Sequence, residues 1–320
     1  MAVLLSSLAE ANEVLANRGI NLDIKTLRAV TYRMAQRVKL QQQHEGIDFG
    51  ESLRGSKVVV STDGGRVRIR KNKRGPKTKK GRPHYSTSWR EPKLLIIYRV
   101  NEKGEIDRTF APMIDGTLKG PDAIFALIAY YLTKLGVSQA DKLLFIADGA
   151  QWIWNRVPKL LKSLGLSAQQ VYQAIDFYHA VEHLGQVAAL RKSWSAAQRK
   201  RWVKRQRKLL LVGKVQQVVD AVEELCRGRS GKAIARQRDY FINNLNRMDY
   251  ANLAALGLPI GSGAIESAIR RVVNLRFKGP GIFWHRDNAE AMLTLRSFYK
   301  AGRWNLLKQM AFTASLPVAA

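Results

Sequence analysis

Apolar residues near the N-terminus recur every three or four positions, which is the spacing of one face of an α-helix. This pattern runs from Leu8 to Val38 within residues 5–42. Gly19 interrupts it and suits a helix C-terminus, so the pattern predicts two helices. Two short helices in succession can form a helix-turn-helix that binds DNA, although such a pair is more often only a packing unit.

Further along the chain, β-branched and alternating runs replace the helical spacing. Residues 57–63 form an apolar run that ends in an acid, and after two glycines residues 66–70 alternate apolar and basic side chains, as in a hairpin. The remaining predictions are strands at 93–100, 105–114, 142–148 and 171–176, helices at 121–136 and 152–164, and only helices after residue 176.

Strands joined by hairpins, followed by alternating helices and strands, predict an α/β fold with a mixed sheet and flanking helices. This is the element order of a ribonuclease-H-like fold, interrupted by an all-helical insertion and preceded by N-terminal helices. The predicted units are a helical N-terminal segment at 1–50 (a candidate helix-turn-helix), the first part of the core at 51–176, the insertion at 177–257, and the last core helix with the C-terminal helices at 258–320.

The charge of the chain favours a polyanionic partner. Its 320 residues include 54 Lys and Arg against 25 Asp and Glu, a net charge of +29. An excess of this size repels itself unless a polyanion neutralises it, and nucleic acids are the commonest polyanions. A merely basic or ribosome-associated protein is the alternative.

Cysteine content and hydropathy predict a cytoplasmic protein. Cys226 is the only cysteine, which excludes a disulfide within the chain and fits a reducing cytosol. The N-terminus lacks the features of a signal peptide. The longest apolar stretch, 123–132, is half of the roughly 20 residues that a membrane span needs, so we expect no membrane partner.

Three acids stand out as candidates for catalysis. Asp63 and Asp148 each end an apolar strand and precede a glycine, although Asp-Gly is also a favoured turn pair. On neighbouring strands they could place two carboxylates at one edge of the sheet. Glu266 lies in the first turns of a predicted helix that Ser262 could cap; alternatively it is a surface acid paired with Arg270. Three carboxylates suit Mg²⁺ or Mn²⁺, and two such ions can activate the attacking oxygen and stabilise the leaving oxygen in phosphoryl transfer.

Several blocks of the sequence resemble those of one transposase family. The stretches TDGG, ADGAQWIW, DFYHAVEHL and IGSGAIES, beginning at residues 62, 147, 176 and 260, occur in that order. Residues 276–284 and 289–296 extend the likeness. Together they resemble the ISKra group of bacterial insertion-sequence transposases over roughly residues 55–300.

This resemblance implies a DDE transposase with a ribonuclease-H-like core, in which Asp63, Asp148 and Glu266 hold two metal ions and catalyse the reaction. Water would free a 3′-hydroxyl at the transposon end, and that hydroxyl would attack target DNA. The implied partners are double-stranded transposon-end and target DNA, with a homodimer or higher oligomer holding two ends. A ribonuclease-H-like nuclease without joining activity and a basic DNA-binding protein without catalysis are alternatives.

The block from Asp176 to His183 allows two interpretations. Asp176 and His179 resemble the Asp/Cys-x-x-His element of Mutator-like and hAT-like transposases, which implies that Asp176, His179, Glu182 and His183 lie near the active site. The same residues match the His-x-x-Glu-His pattern of a zinc metallopeptidase, with Glu182 as general base and Glu266 as a further ligand. A third possibility is that the histidines only pack.

Basic segments are the candidate DNA-binding surfaces. Residues 71–82 form a low-complexity basic stretch that predicts a flexible arm, and residues 191–208 interleave Trp194 and Trp202 with many cations. Solvated charges and inward-packed tryptophans are the alternative. The residues predicted to bind DNA are Arg66, Arg68, Arg70, Lys71, Lys73, Arg74, Lys77, Lys79, Lys80, Arg82, Arg199, Lys200, Arg201, Lys204, Arg205, Arg270, Arg271, Arg276, Lys278 and Trp284.

Overall fold

The computed structural model describes residues 1–43 and 48–313. Residues 44–47 and 314–320, which belong to the predicted segments 1–50 and 258–320, lie outside the described residues. The N-terminal pair of helices is present as α1 (Leu8–Ala16) and α2 (Ile24–Gln43). Gly19 lies in the left-handed region with φ 77°, just beyond the end of α1, which confirms the predicted break.

The fold is α/β, with a mixed five-stranded sheet flanked by helices. The strands are β1 (Lys57–Gly64), β2 (Val67–Lys77), β3 (Pro83–Arg90), β4 (Lys93–Val100), β5 (Met113–Thr117), β6 (Lys142–Ala147) and β7 (Val171–Ile175). The sheet order is β5-β4-β1-β6-β7, with β1 antiparallel to β4 and parallel to β6. β6 and β7 are parallel, so β1, β6 and β7 all end at the same edge.

The prediction that residues 66–70 return alongside β1 is wrong. β2 pairs with β3 in a separate two-stranded ribbon, and β4 takes the place beside β1. The physical reason is burial: β4 is apolar and almost wholly buried, whereas an arginine at every second position of β2 could not occupy the centre of a covered sheet. The predicted flexible arm at 71–82 is likewise part of this ribbon, with a turn at its tip.

Two other element boundaries differ from the sequence prediction. The strand expected at 105–114 begins only at Met113, because the preceding segment turns on Asp107, whose carboxylate accepts hydrogen bonds from the backbone and hydroxyl of Thr109. The helix expected at 152–164 is two helices, since Pro158 starts a new one.

The helices after α2 are α3 (Pro121–Lys134), α4 (Gln151–Trp154), α5 (Val157–Ser163), α6 (Phe177–Ala189), α7 (Ala196–Leu211), α8 (Val215–Cys226), α9 (Lys232–Asn244), α10 (Tyr250–Ala255), α11 (Gly263–Ile269), α12 (Leu275–Phe277), α13 (Arg286–Lys300) and α14 (Trp304–Phe312). A π-helical segment, Arg270–Asn274, joins α11 to α12. Helix α3 packs on β4 and β5, α13 on β5, and α11 on β1 and β4. Within residues 1–43 and 48–313, no helix has both the length and the apolar character needed to cross a membrane.

Candidate active site

Asp63 and Asp148 stand at the same level on neighbouring parallel strands. The register of β1 and β6 pairs Val60 with Phe145, and each aspartate follows its partner by three residues. Parallel strands lie about 4.8 Å apart, so this register brings the two carboxylates to one edge of the sheet. The sequence prediction that two strand-ending acids meet at a sheet edge is therefore matched by the register.

Asp176 continues this row onto the third parallel strand. The register of β6 and β7 pairs Ala147 with Ile175, and Asp148 and Asp176 are the next residues on their strands. The backbone N–H of Asp176 donates to the carbonyl of Ala147 at 2.8 Å, which prolongs the pairing by one step. Three aspartates thus follow one another across the carboxyl ends of β1, β6 and β7.

Asp63 lies in a half-buried, acidic position. Burial raises its pKa to about 6, the nearby charge of Asp148 acts in the same direction, and the backbone N–H of Gly64, 2.5 Å from Oδ1, opposes the shift. Glu91 adds a further raising effect on the Asp63 pKa. A cation bound next to Asp63 would stabilise the charged form of this carboxyl group and lower its pKa.

Asp176 is fully buried and serves as an anchor between two segments. Its Oδ1 accepts from the backbone N–H of His179 at 2.8 Å. Its Oδ2 accepts from the backbone N–H of Ser262 and from the Ser262 hydroxyl, the latter at 2.7 Å. Burial alone would raise the pKa of Asp176, but these donors outweigh it and hold the pKa well below its usual range. Asp176 therefore fastens the start of α11 to the end of β7.

Glu266 lies in the first turns of α11, four residues after Ser262. Its side chain is 55% exposed, and Oε1 lies 4.0 Å from Nδ1 of His179. Arg270, the predicted surface partner, is exposed. The hydrogen bonds between Ser262 and Asp176 fix the start of α11, so that the Glu266 carboxylate lies near His179. Because its side chain is exposed, Glu266 can change rotamer.

His179 places a positive charge among these acids. Its Nδ1 lies 3.3 Å from Oδ1 of Asp176, and this carboxylate raises the pKa of His179 to about 9. Burial opposes the shift, and Asp148 and Glu182 contribute further raising effects. His179 is therefore protonated at neutral pH.

Potential metal ligands converge here in a different grouping from the predicted triad. Among the described residues, Asp176, His179 and Glu266 are the group whose ligand atoms all lie within 4.8 Å of one another, so a metal could bind at this point. Both oxygens of Asp176 are already occupied by hydrogen bonds, which suits an anchoring role better than coordination. Asp63 and Asp148 are not members of this group.

His183 is engaged elsewhere and does not turn toward His179. Its Nδ1 lies 2.7 Å from Oε1 of Gln237, and its ring stacks on that of Tyr240 with centroids 3.6 Å apart. Burial lowers the pKa of His183. Glu182 is exposed. The His-x-x-Glu-His residues therefore do not form the joint histidine site that a zinc peptidase needs.

A cavity of about 740 Å³ opens beside Asp148. It is lined by rings, amides and cations, among them Trp154, His179, Tyr240, Asn243 and Arg247. The Tyr240 hydroxyl is buried and has no hydrogen-bond partner among the described residues. The cavity joins the acidic edge of the sheet to helix α9.

Gly149 sets the close approach of this cavity wall to the acidic row. A Cβ at Gly149 would collide with the ring of Tyr240. The glycine after Asp148 is therefore required by packing.

Several residues of the site were missed by sequence reasoning. Glu91 influences the Asp63 pKa and pairs at 2.8 Å with the buried Lys93, whose Nζ lies 3.8 Å from the centroid of the Trp152 ring. One signal was available: Glu91 is the only acid between Asp63 and Glu102. Tyr240 carried no such signal, because only the packing of α9 against α6 brings it to the site.

The predicted DNA-binding residues are distributed over three surfaces. Most are exposed on β2 and its turn, on α7, or after Glu266. Arg276 is the clear exception, since it is buried and its guanidinium lies 4.9 Å from the centroid of the Trp284 ring. Trp284 is half-buried and also packs on Phe277, which fits a structural role. Trp194 and Trp202 are partly buried against the helical core, as in the alternative in which the tryptophans pack inward.

No protein-family model matches this chain, and no curated protein matches its sequence.

Proposed function

We propose that this chain is a DNA transposase that cuts and rejoins DNA with the carboxylates of Asp63, Asp148 and Glu266. One observation carries the proposal: two aspartates end neighbouring parallel strands at the same level, and the helix bearing Glu266 is hydrogen-bonded to the third strand through Asp176. The resemblance of the sequence blocks around these same residues to ISKra-type transposases supports it.

The fold is consistent with a ribonuclease-H-like core. Two antiparallel strands, a central strand and two parallel strands form the sheet in the order β5-β4-β1-β6-β7. We further propose that α6 to α10 form a helical insertion between β7 and the Glu266 helix. In this arrangement the basic ribbon of β2 and β3 is a second insertion, placed directly after Asp63.

The donor set fits a hard divalent cation. Asp63 and Asp148 would hold it from the sheet, and Glu266 would join by turning its exposed side chain toward them. Bound Mg²⁺ or Mn²⁺, as two ions, would polarise the scissile phosphate and activate the attacking oxygen. Asp176 would keep α11 in place, and the charge of His179 would attract the phosphate group toward the acidic edge.

The proposed reaction has two steps. Water would attack a phosphodiester at the transposon end, forming one P–O bond as the bond to the 3′-oxygen breaks, which leaves a 5′-phosphate and a 3′-hydroxyl. That hydroxyl would then attack a phosphodiester of target DNA, forming one P–O bond as another breaks. Double-stranded DNA is therefore the proposed partner, and a homodimer would hold the two ends together.

The metallopeptidase alternative loses support from the placement of His183. A zinc site would need His179 and His183 to converge, yet His183 bonds Gln237 and stacks on Tyr240. The net charge of +29 has no role in a peptidase.

The test is cleavage of a duplex carrying the DNA that flanks the coding sequence, with Mg²⁺ or Mn²⁺ present. Asp63→Asn, Asp148→Asn and Glu266→Gln should each abolish cleavage while leaving DNA binding intact. Asp287→Asn, a change at an exposed acid in the first turn of α13, is the matched control and should cut normally. Joined products identify a transposase, cleavage without joining identifies a nuclease, and full activity in the three variants overturns the proposal.

A further inference from the structure

The basic ribbon, formed by β2 and β3, has no packing partner over most of its length among residues 1–43 and 48–313. Val67 and Ile69 at its base are buried, but from Lys71 through Arg90 almost every residue is exposed. A two-stranded ribbon with both faces in water is only marginally stable by itself. A ribbon of this kind gains stability by docking on a surface.

The charge of the ribbon identifies the chemistry of that surface. Between Asp63 and Glu91 the chain has eleven Lys and Arg residues and no acid. Only a polyanion complements a surface of this composition. An acidic protein patch would leave the exposed Lys and Arg at the tip in excess, whereas the phosphates of DNA recur along the full length of a ribbon.

One face of the ribbon also carries preorganised groups of the kind that contact bases. The register places Arg68 opposite Trp89, and their cation–π distance is 5.2 Å. Arg70 lies 4.9 Å from the Tyr85 ring centroid and donates to Asn72 at 3.2 Å. Arg and Asn are the side chains that recognise guanine and adenine edges in the major groove.

The ribbon is braced to the segment that follows Glu266. The backbone N–H of Arg70 donates to the carbonyl of Trp284 at 2.8 Å, and the N–H of Trp284 donates to the carbonyl of Arg68 at 2.9 Å. Phe283 packs on Tyr85 with ring centroids 4.8 Å apart. The base of the ribbon therefore keeps a fixed orientation relative to the acidic edge.

We infer that the basic ribbon docks in the major groove of duplex DNA beside the phosphodiester that the acidic row cleaves. The groove is about 12 Å wide and admits a two-stranded ribbon, whereas the minor groove, about 6 Å wide, does not. The exposed part of β2, from Lys71 to Lys77, spans about 20 Å at about 3.3 Å per residue, or more than half of one helical turn. This inference rests on the proposed function, which supplies DNA as the partner and the acidic row as the cleaving site.

The first test is binding without divalent metal, so that it does not depend on cleavage. The probe is a mixed-sequence duplex, compared with one of its strands alone. A ribbon variant replaces Lys73, Arg74, Lys77, Lys79 and Lys80 by Gln. A control variant with the same loss of charge replaces five cations outside the predicted DNA-binding residues by Gln, namely Lys103, Arg108, Lys119, Lys159 and Lys162. All ten side chains are exposed, so both variants should fold.

We expect the ribbon variant to lose at least about tenfold in duplex affinity and to lose the preference for duplex over single strand. The slope of log affinity against log salt should fall by about 0.9 for each phosphate contact removed. Retained duplex preference together with an unchanged salt slope in the ribbon variant would overturn the inference. So would an equal loss of duplex preference in the control variant.

The second test identifies the groove. Methylation of guanine N7, which blocks the major groove, should interfere with binding of the wild type but not of the Arg68→Gln, Arg70→Gln double variant. If a minor-groove ligand blocks binding of the wild type and N7 methylation does not, the assignment to the major groove is wrong. If N7 interference appears while the Asp63→Asn variant still cleaves, the proposed function fails and the docking of the ribbon in the major groove stands.

Discussion

The carboxylate of Asp176 accepts both the backbone N–H and the hydroxyl of Ser262, which lies 86 residues away in the sequence. This relationship joins the end of β7 to the first turn of the helix that carries Glu266. The candidate catalytic helix is thus fixed to the sheet at one buried point. Helices α6 to α10 lie between Asp176 and Ser262 in the sequence, so this hydrogen bond joins the two ends of the segment that they form.

We predict that weakening this anchor reduces cleavage by displacing Glu266. Ser262→Ala removes one hydrogen bond to a charged group, which contributes about 1.5–3 kcal/mol to stability. Asp176→Asn should cost more, because an amide cannot accept from both His179 and Ser262 as the carboxylate does. Thermal unfolding measures the loss of stability.

Cleavage assays over a range of Mg²⁺ concentrations distinguish positioning from a purely structural role. Both variants should need more Mg²⁺ for half-maximal cleavage, whereas DNA affinity should not change. A normal Mg²⁺ requirement in Asp176→Asn would show that the anchor does not position Glu266.

The sequence predicted the elements whose pattern is local and strong. Apolar runs located β1, β4, β6 and β7, and two aspartates at strand ends, Asp63 and Asp148, could be assigned to one edge. Strand pairing could not be predicted in the same way. Residues 66–70 alternate like a sheet strand, yet which strand lies beside β1 depends on burial against helices that are distant in the sequence.

Parts of the site were beyond sequence reasoning for a related reason. Tyr240 lies 92 residues after Asp148, and nothing in its immediate surroundings marks it as a neighbour of that acid. The grouping of Glu266 with His179 and Asp176 likewise depends on how α11 packs. Tertiary contacts decide which side chains meet at the site, and a local sequence pattern does not contain those contacts.

His179 and His183 should behave differently when replaced, although they are one helical turn apart. His179→Gln removes a positive charge beside Asp176 and Glu266 and should reduce DNA cleavage by about tenfold or more, as expected when a charge that stabilises a reacting group is lost. His183→Gln should affect mainly stability, because it disrupts the stack on Tyr240.

Metal analysis provides the control for this pair. Wild type dialysed against Zn²⁺ should retain no stoichiometric zinc that depends on His183. Zinc retained by the wild type and lost in both variants, with peptide cleavage, would restore the metallopeptidase interpretation.

Gly149→Ala should disturb the wall of the cavity beside Asp148. The new Cβ would collide with the Tyr240 ring, and overpacking of this kind costs about 1–3 kcal/mol. The matched control is Gly185→Ala on α6, where a Cβ meets no atom within 4 Å; there the higher helix propensity of Ala should give a neutral or stabilising change. Equal stability of the two variants would contradict the collision.

A double-mutant cycle assigns the effect to the named pair. Gly149→Ala should be much less costly when Tyr240 is already Ala, since the collision then has no partner. The same penalty in both backgrounds would mean that Gly149 is required for its backbone alone.

Asp115 predicts a pH dependence of stability away from the candidate site. Its carboxylate is fully buried and accepts from Tyr131 at 2.6 Å, Gln42 at 2.9 Å and the Gly116 N–H at 2.7 Å. Burial outweighs these donors and raises the pKa of Asp115. A raised folded-state pKa means that the folded protein holds this proton more tightly than the unfolded chain does.

The stability contributed by the protonated form is therefore complete below the unfolded pKa of about 3.9 and is lost as pH rises through the raised folded value. Asp115→Asn removes that loss. In thermal unfolding, the stability of the variant relative to the wild type should therefore increase as pH rises through this window. A difference that does not change with pH would contradict the prediction.

Glu290 lines the same cavity as Asp115 and gives the opposite sign. Burial would raise its pKa, but Lys39 at 2.8 Å and donors from Leu118 and Thr117 outweigh it, and the pKa of Glu290 is lowered. Its stabilisation is present above the unfolded pKa of about 4.3 and is lost as pH falls through the lower folded value. The stability of the Glu290→Gln variant should thus fall furthest below that of the wild type at neutral pH and least in acid. Two neighbouring acids with opposite pH profiles exclude a general effect of acid on the fold, whereas parallel profiles would show that neither carboxyl controls the transition.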